Sequence, residues 1–284
     1  MNPTERYQQP AWDDVTAGED DRYGAIAAGL RRGSPAAVGW LIDALGDRLH
    51  DYLSVMLGDL DVATHALADT IIVALGHLGR LTEPQLPAWL FALARNERRR
   101  RQYSAGARAL PDVLGVLTAI AGLDGGHEIA TSPELAYLAM ARMEPWDREI
   151  LALGAMKPVL STADISRILG VGETVTADRH RHAVSRLRKE AALLGFAPGV
   201  TAAELMREMS GYLLGRVPRE RLLYMCVSPD LASRRRRIQH RAGPFGPDGF
   251  PVTDLCVPGT VRAASHRGSP RPIRLVSPRS ERRW

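Results

Sequence analysis

The densest set of chemically capable side chains lies between Arg179 and Lys189. Arg179, His180, Arg181, His182, Arg186, Arg188 and Lys189 crowd that stretch. Guanidinium forks match the acceptor pairs of guanine and of phosphate, and ammonium and imidazole groups add charge and donors. The chemistry that fits is non-covalent capture of a polyanion. By position, Thr174, Ala177, Asp178, Arg179, Arg181 and His182 are the side chains that a helix start in this stretch offers to base edges. Asp178 has two uses there: accepting from a cytosine amino group, or orienting Arg179 or Arg181. A second basic set, Arg95, Asn96, Arg98 and Arg99, follows Trp89 and suits the same polyanion chemistry. Both sets also fit solvated helix faces, and arginines at a helix end complement its dipole. Trp89 shares a face with Leu90 and Leu93 and reads as core or as a stacking platform, core being favoured two to one by that shared face.

Covalent and metal chemistry find no such support. The scattered His and Asp residues give no His-Glu-x-x-His spacing. Cys226, His240 and Cys256 match no zinc pattern. Gly-Pro-Phe-Gly-Pro at 243–247 is loop chemistry rather than a phosphate cradle. The sequence therefore predicts no catalytic residues, no metal and no cofactor.

Helices must position these groups. Val38, Leu41, Ile42, Leu45, Leu49, Leu53 and Met56 recur at steps of three and four behind Ser34-Pro35, and Gly58 stops the run. Ala63 to Leu78 repeats the pattern, and a third helix opens near Trp89 and runs into Arg98–Arg101. Residues 22–103 thus read as one small helical domain. Residues 104–132 read as a linker, with one short helix near 112–121. A second block, 133–194, starts at Pro133. Within it Ser161-Thr162-Ala163-Asp164 is a capping-box start, the helix it opens ends at Gly170, and a longer helix runs on to about Leu194. A short helix, a tight turn and a second helix make a helix-turn-helix. Leu169, Val171 and Val175 are expected to bury its corner, and Val175, Val184 and Leu187 to form the buried face of its second helix. Residues 195–228 read as a helical extension, with Pro218 opening its second helix.

The fold class is therefore all-α: two small helical domains joined by a linker, with no strand-period segment. The formal net charge of +5 and pI near 9.5 favour polyanion partners, nucleic acid before membrane surface. The charge is polarised. Glu5, Asp13, Asp14, Glu19, Asp20 and Asp21 crowd an N-terminal stretch, 1–21, expected to be acidic and disordered. From 229 onward Pro, Gly, Arg and Ser dominate, and 229–284 is expected to be a largely disordered basic tail. Two readings of that tail are open: sequence-independent phosphate attraction, or a solvated extension. No secretory signal and no 18-residue apolar run is found, so no membrane insertion and a cytoplasmic location are expected.

TADISRILGVGETVTADRHRHAVSRLRKE, with MARMEPWDREILAL before it, resembles region 4 of the extracytoplasmic-function group of sigma-70-family factors. Ile165, Leu169, Gly170, Val171, Glu173, Arg179, Ala183, Arg186, Leu187 and Arg188 stand where that pattern expects them. Thr176 stands where the family usually has Val. WLFALARNERRR at 89–100 and ATHALADTIIVAL at 63–75 resemble region 2. In the second of these Thr64 and His65 replace two acids, Ala68 replaces Gln and Ile71 replaces Phe, while Asp69 and Thr70 keep the character of a Glu-Thr pair. The likeness covers about 22–103 and 133–192.

The resemblance implies an alternative sigma factor, not an enzyme, whose partners are core RNA polymerase, promoter DNA and, in some members, an anti-sigma factor. It implies −35 reading by Thr174, Ala177, Asp178, Arg179, Arg181 and His182. It implies −10 strand capture by Trp89, Arg95, Asn96, Arg98 and Arg99, and polymerase docking by Leu67, Asp69 and Thr70. The altered 63–71 helix leaves a second reading open, a sigma-derived DNA-binding regulator that does not engage polymerase. A third is a protein-interaction adaptor whose basic helix is merely solvated.

Overall fold

The computed structural model describes residues 19–81, 85–104, 132–156, 159–213, 218–228, 232–239, 241 and 243–252. Among these residues every regular element is helical, and the sole extended pairing is a bridge between Phe245 and Pro251. The first block holds α1 (Glu19–Arg31), α2 (Pro35–Leu41), a π-helical turn (Ile42–Gly46), α3 (Asp47–Leu57), α4 (Leu60–Gly76), a 3-10 turn (Leu78–Arg80) and α5 (Leu86–Ser104). The second holds α6 (Ser132–Ala141), α7 (Pro145–Gly154), α8 (Thr162–Leu169) and α9 (Glu173–Leu193). Then follow α10 (Ala202–Leu213), α11 (Arg219–Val227) and α12 (Ala232–Gln239).

Local sequence explains most boundaries. Pro35 takes the first turn of α2 behind an extended Ser34. α2 passes into α3 without leaving helical backbone, through the wider winding of the π turn. Gly58 ends α3 at φ 69°, a conformation that costs a residue with Cβ, and Asp59 then caps Val62 N at 2.9 Å. Reciprocal capping boxes open α8 at Ser161 and Asp164, and α10 at Thr201 and Glu204.

α3, α4 and α5 pack on one another around Tyr52, Leu53, Leu67, Ile71, Trp89 and Phe91. The Tyr52 and Phe91 rings meet edge to face, centroids 5.7 Å apart. α6 packs on α10, α7 on α9, α8 on α5 and α7 on α3, so one continuous core joins the two blocks. The stretch expected as linker, with its short helix, falls largely outside the described residues. The expectation of disorder after 229 is corrected for 232–239 and 243–252, which form α12 and a tight bend held by Gly246 N–Phe250 O and Val252 N–Pro244 O bonds. These residues carry no apolar period of their own; contacts with other elements hold them.

The two blocks are tied by three consecutive charged residues of α7, all buried: Asp147, Arg148 and Glu149. Successive helix positions point about 100° apart, so each faces a different neighbour. Glu149 accepts from Arg95 Nε at 2.9 Å and Nη2 at 3.2 Å, from Arg98 Nη2 at 2.8 Å and from Tyr52 OH at 2.9 Å. Arg148 donates to the Met140, Ala141 and Met143 carbonyls at 2.8–2.9 Å, satisfying the end of α6. Asp147 faces α9. Burial alone would raise the Glu149 carboxyl, but Arg98 and Arg95 overrule it and hold it below its ordinary 4.5. Burial pushes Arg148 down to about 10.

Removing one member of a buried ion cluster strands the others without compensation. Glu149→Gln is therefore expected to destabilise the fold by about 3–5 kcal/mol, read as a lower urea midpoint at unchanged slope. Acid acts in two stages. Burial, partly offset by Asp47, holds the His50 imidazole below 6.5, so the unfolded chain takes up that proton first and stability declines as pH drops under 6.5. The Glu149 contribution, present above 4.5, is lost as pH falls through its lowered folded value. Urea midpoints measured from pH 7.5 to 3.5 are expected to fall in that order.

Candidate nucleic-acid interface

α8, the turn 170–172 and α9 form a helix-turn-helix. Gly170 at φ 70° reverses the chain, and Val171 N returns to Ser166 O at 3.1 Å. Val171 is half-buried against the core, and Leu169 is fully buried. The stripe of α9 that packs inward is Thr176, Ala183, Leu187 and Ala191. Val175, expected to bury the corner, instead stands 56% exposed. The reason is phase: Ala183 and Leu187 fix the buried stripe, and two turns back that stripe meets residue 176, leaving 175 about 100° away. Thr176 is accommodated because its Oγ1 donates to Gly172 O at 3.1 Å, so the buried hydroxyl has a partner.

The opposite face is open. Thr174, Ala177, Asp178, Arg179, Arg181 and His182 are all exposed, as are Ser185, Arg186, Arg188 and Lys189. Asp178 pairs with Arg181, which settles its two orienting options in favour of Arg181. Arg179 turns the other way. Its Nε lies 3.4 Å from Asp147 Oδ1, close enough for an ion pair but not aligned as a hydrogen bond. Arg186 Nη1 reaches Asp147 Oδ2 at 2.6 Å. Asp147 thus sets α9 on α7 from beneath, and Arg181, Arg188 and Lys189 carry the outward charge. Gly154 of α7 lets the helices approach: a Cβ there would meet His180 Nε2 at 2.6 Å.

The second basic set is arranged differently. Trp89, Arg95 and Arg98 are buried. Trp89 packs in the core and donates Nε1 to Gly249 O at 3.1 Å, and the two guanidinia are committed to Glu149. Strand capture by these three is corrected for this arrangement; Asn96 and Arg99 are half-buried at the same helix end. Leu67, Asp69 and Thr70, expected to dock polymerase, are buried as well, because α11 and α12 lie across α4. Asp69 holds Arg101 at 2.6 Å and Arg234 at 2.9 Å, and Thr70 Oγ1 donates to Ala66 O at 2.8 Å.

Sequence reasoning missed Asp147 and Glu149. The signal was Trp146-Asp-Arg-Glu inside an apolar run, three charges where a helix buries its face. Among the described residues no group of three or more His, Cys, Asp or Glu side chains is placed to hold a metal. Cys226 is buried, burial chiefly pushing its thiol up to about 12, while His240 and Cys256 lie outside the described residues. Among the described residues no helix is long and apolar enough to cross a membrane. No family model matches the chain, and no curated protein and no solved structure matches it.

The packing of α9 gives a direct check. Leu187→Ala is expected to cost about 2–5 kcal/mol by opening a cavity under the helix. Val175→Ala is expected to stay within about 0.5 kcal/mol, as for a surface site. Equal losses in urea titrations would place Val175 inside after all.

Proposed function

We propose that the chain binds duplex DNA through the open face of α9 and acts as an alternative sigma-type initiation factor that brings core RNA polymerase to specific promoters from the cytoplasm. The observation that carries the reading is the division of α9 into a buried stripe of small and apolar residues and an outward face of Thr174, Asp178, Arg181, His182, Ser185, Arg188 and Lys189. That division is what a recognition helix in a major groove requires: a fixed back, and donors at the front. Thr174, Ala177, Asp178, Arg181 and His182 lie nearest the helix start and read base edges; Arg188 and Lys189, further along, meet phosphates. The acts are binding and strand separation, with no covalent step. The promoter class rests on the resemblance of 63–75, 89–100 and 140–190 to sigma regions 2 and 4.

One observation favours a second reading, a DNA-binding regulator that does not engage polymerase: Leu67, Asp69 and Thr70 are buried. Pull-down with core RNA polymerase, followed by run-off transcription over genomic fragments, separates the two. Defined new start sites support the initiation factor. Duplex binding without polymerase binding supports the regulator. Salt-independent or absent DNA binding would remove both and leave the adaptor.

Two substitutions probe the interface on a duplex selected from a random pool. Arg181→Ala is expected to weaken binding by about 1–3 kcal/mol and to relax preference at one base position. Lys189→Ala is expected to weaken all duplexes alike and to lower the slope of log affinity against log salt by about 1. Anisotropy titrations between 50 and 200 mM salt on the order of those used for such proteins read both effects.

A further inference from the structure

Residues 232–239 and 243–252 lie over α4 and the start of α5. Arg234 Nη2 reaches the buried Asp69 carboxylate at 2.9 Å. The His77 ring meets the Gln239 carbonyl at 2.7 Å through Nε2, which must carry the proton because a carbonyl only accepts. Phe245 lies against His77 at 5.0 Å and Trp89 at 6.4 Å between ring centroids, with the Arg80 guanidinium 4.9 Å from its own. The Trp89 indole donates to Gly249 O. The approach is close: a side chain on Gly249 would overlap the Arg80 carbonyl, and one on Gly76 would meet Gln239. The bend then crosses to the helix-turn-helix, where Arg167 of α8 covers the Phe250 ring at 4.3 Å and pairs with Asp248.

The fit is specific, and much of the segment stays open to solvent. Of the eight residues of α12, Ile238 alone is buried, and Phe250 and Pro251 are the buried residues of the bend. The Arg167–Asp248 pair is exposed to solvent, where ion pairs contribute little. The surface beneath is part of the first block, and Asp69 and Trp89 on it are buried. A partly exposed segment on a chemically defined surface has the form of an internal ligand.

We infer that residues 232–252 are a displaceable cover over a docking surface on α4 and α5, and that this surface takes a segment presenting an arginine to Asp69, an aromatic ring to His77 and Trp89, and a backbone carbonyl to the Trp89 indole. The cover also touches α8 through Arg167, beside the direct packing of α8 on α5, so displacing it removes one tie between them and leaves the outward face of α9 unchanged. Its use as a control on polymerase docking rests on the initiation-factor reading; the cover itself does not.

The test uses the full chain with Phe245→Ala and Phe250→Ala, and a labelled synthetic peptide spanning residues 229–252. The peptide is expected to bind the variant at least tenfold more tightly than the wild type, and Arg234→Ala in the peptide to weaken it at least fivefold. Equal binding to both chains, or none to a variant that keeps its near-ultraviolet dichroism, overturns the proposal. If that variant unfolds, Arg234→Ala with Asp248→Ala removes only the ionic anchors. Amide exchange over residues 70–77 is then expected to rise at least tenfold and to be suppressed by the wild-type peptide, and unchanged exchange overturns the cover. Core RNA polymerase binding the variant at least tenfold more tightly than the wild type supports control of docking. Equal polymerase binding to both chains overturns that control. Polymerase binding neither, while the peptide binds, removes the initiation-factor reading and leaves the cover standing.

Discussion

Everything in the arrangement hangs on three adjacent charges in one short helix. Asp147, Arg148 and Glu149 are each buried, and each is satisfied by a different element: Asp147 by the arginines of α9, Arg148 by the carbonyls ending α6, Glu149 by Arg95 and Arg98 of α5 with Tyr52 of α3. An apolar α7 could have been packed in many rotational settings. Three charges pointing about 100° apart allow one, because any rotation strands at least one of them without a partner. Burying charge is a poor source of net stability but a strict source of geometry, and here it fixes both the seat of α9 and the contact between the two helical blocks.

The same cluster explains what the sequence conceals. Arg95 and Arg98 sit in the basic run Arg95-Asn96-Glu97-Arg98-Arg99-Arg100-Arg101, where residue type alone points outward. Their partner is more than fifty positions away, and nothing local marks it. The helices themselves were legible: Pro35, Gly58, Ser161-Asp164, Gly170 and Pro218 all stand at element ends, because capping and breaking are local physics. The outward residues of α9 were legible for the same reason, Thr174 to His182 being polar or small on one phase. Val175 was not, since Val is apolar wherever it points and the phase is decided two turns later. Residues 232–252 were illegible because tertiary contacts, not periodicity, order them.

α9 illustrates how a small polar departure fits a buried site. Threonine at 176 fills the volume of a β-branched residue, and the helix supplies its hydroxyl with the carbonyl four residues back. A threonine there therefore leaves the helix seated and the outward face in phase. Gly154 does the complementary work on α7, where the missing side chain leaves room for His180. The setting of the outward face is thus decided by a threonine and a glycine on the hidden side as much as by the arginines in view.

The π turn at Ile42–Gly46 has a different kind of consequence. It is one unbroken helical path that contains about one residue more than regular winding needs. Loss of a single residue there would let the run relax into an ordinary α-helix with its backbone bonds intact. Because the wider winding absorbs that extra residue, α1 and α2 would keep their angle about the axis of α3, and Val38 and Leu41 their place in the core. Chain length in this short stretch is thereby uncoupled from angular register: the turn can give up one residue without rotating the helices on either side of it.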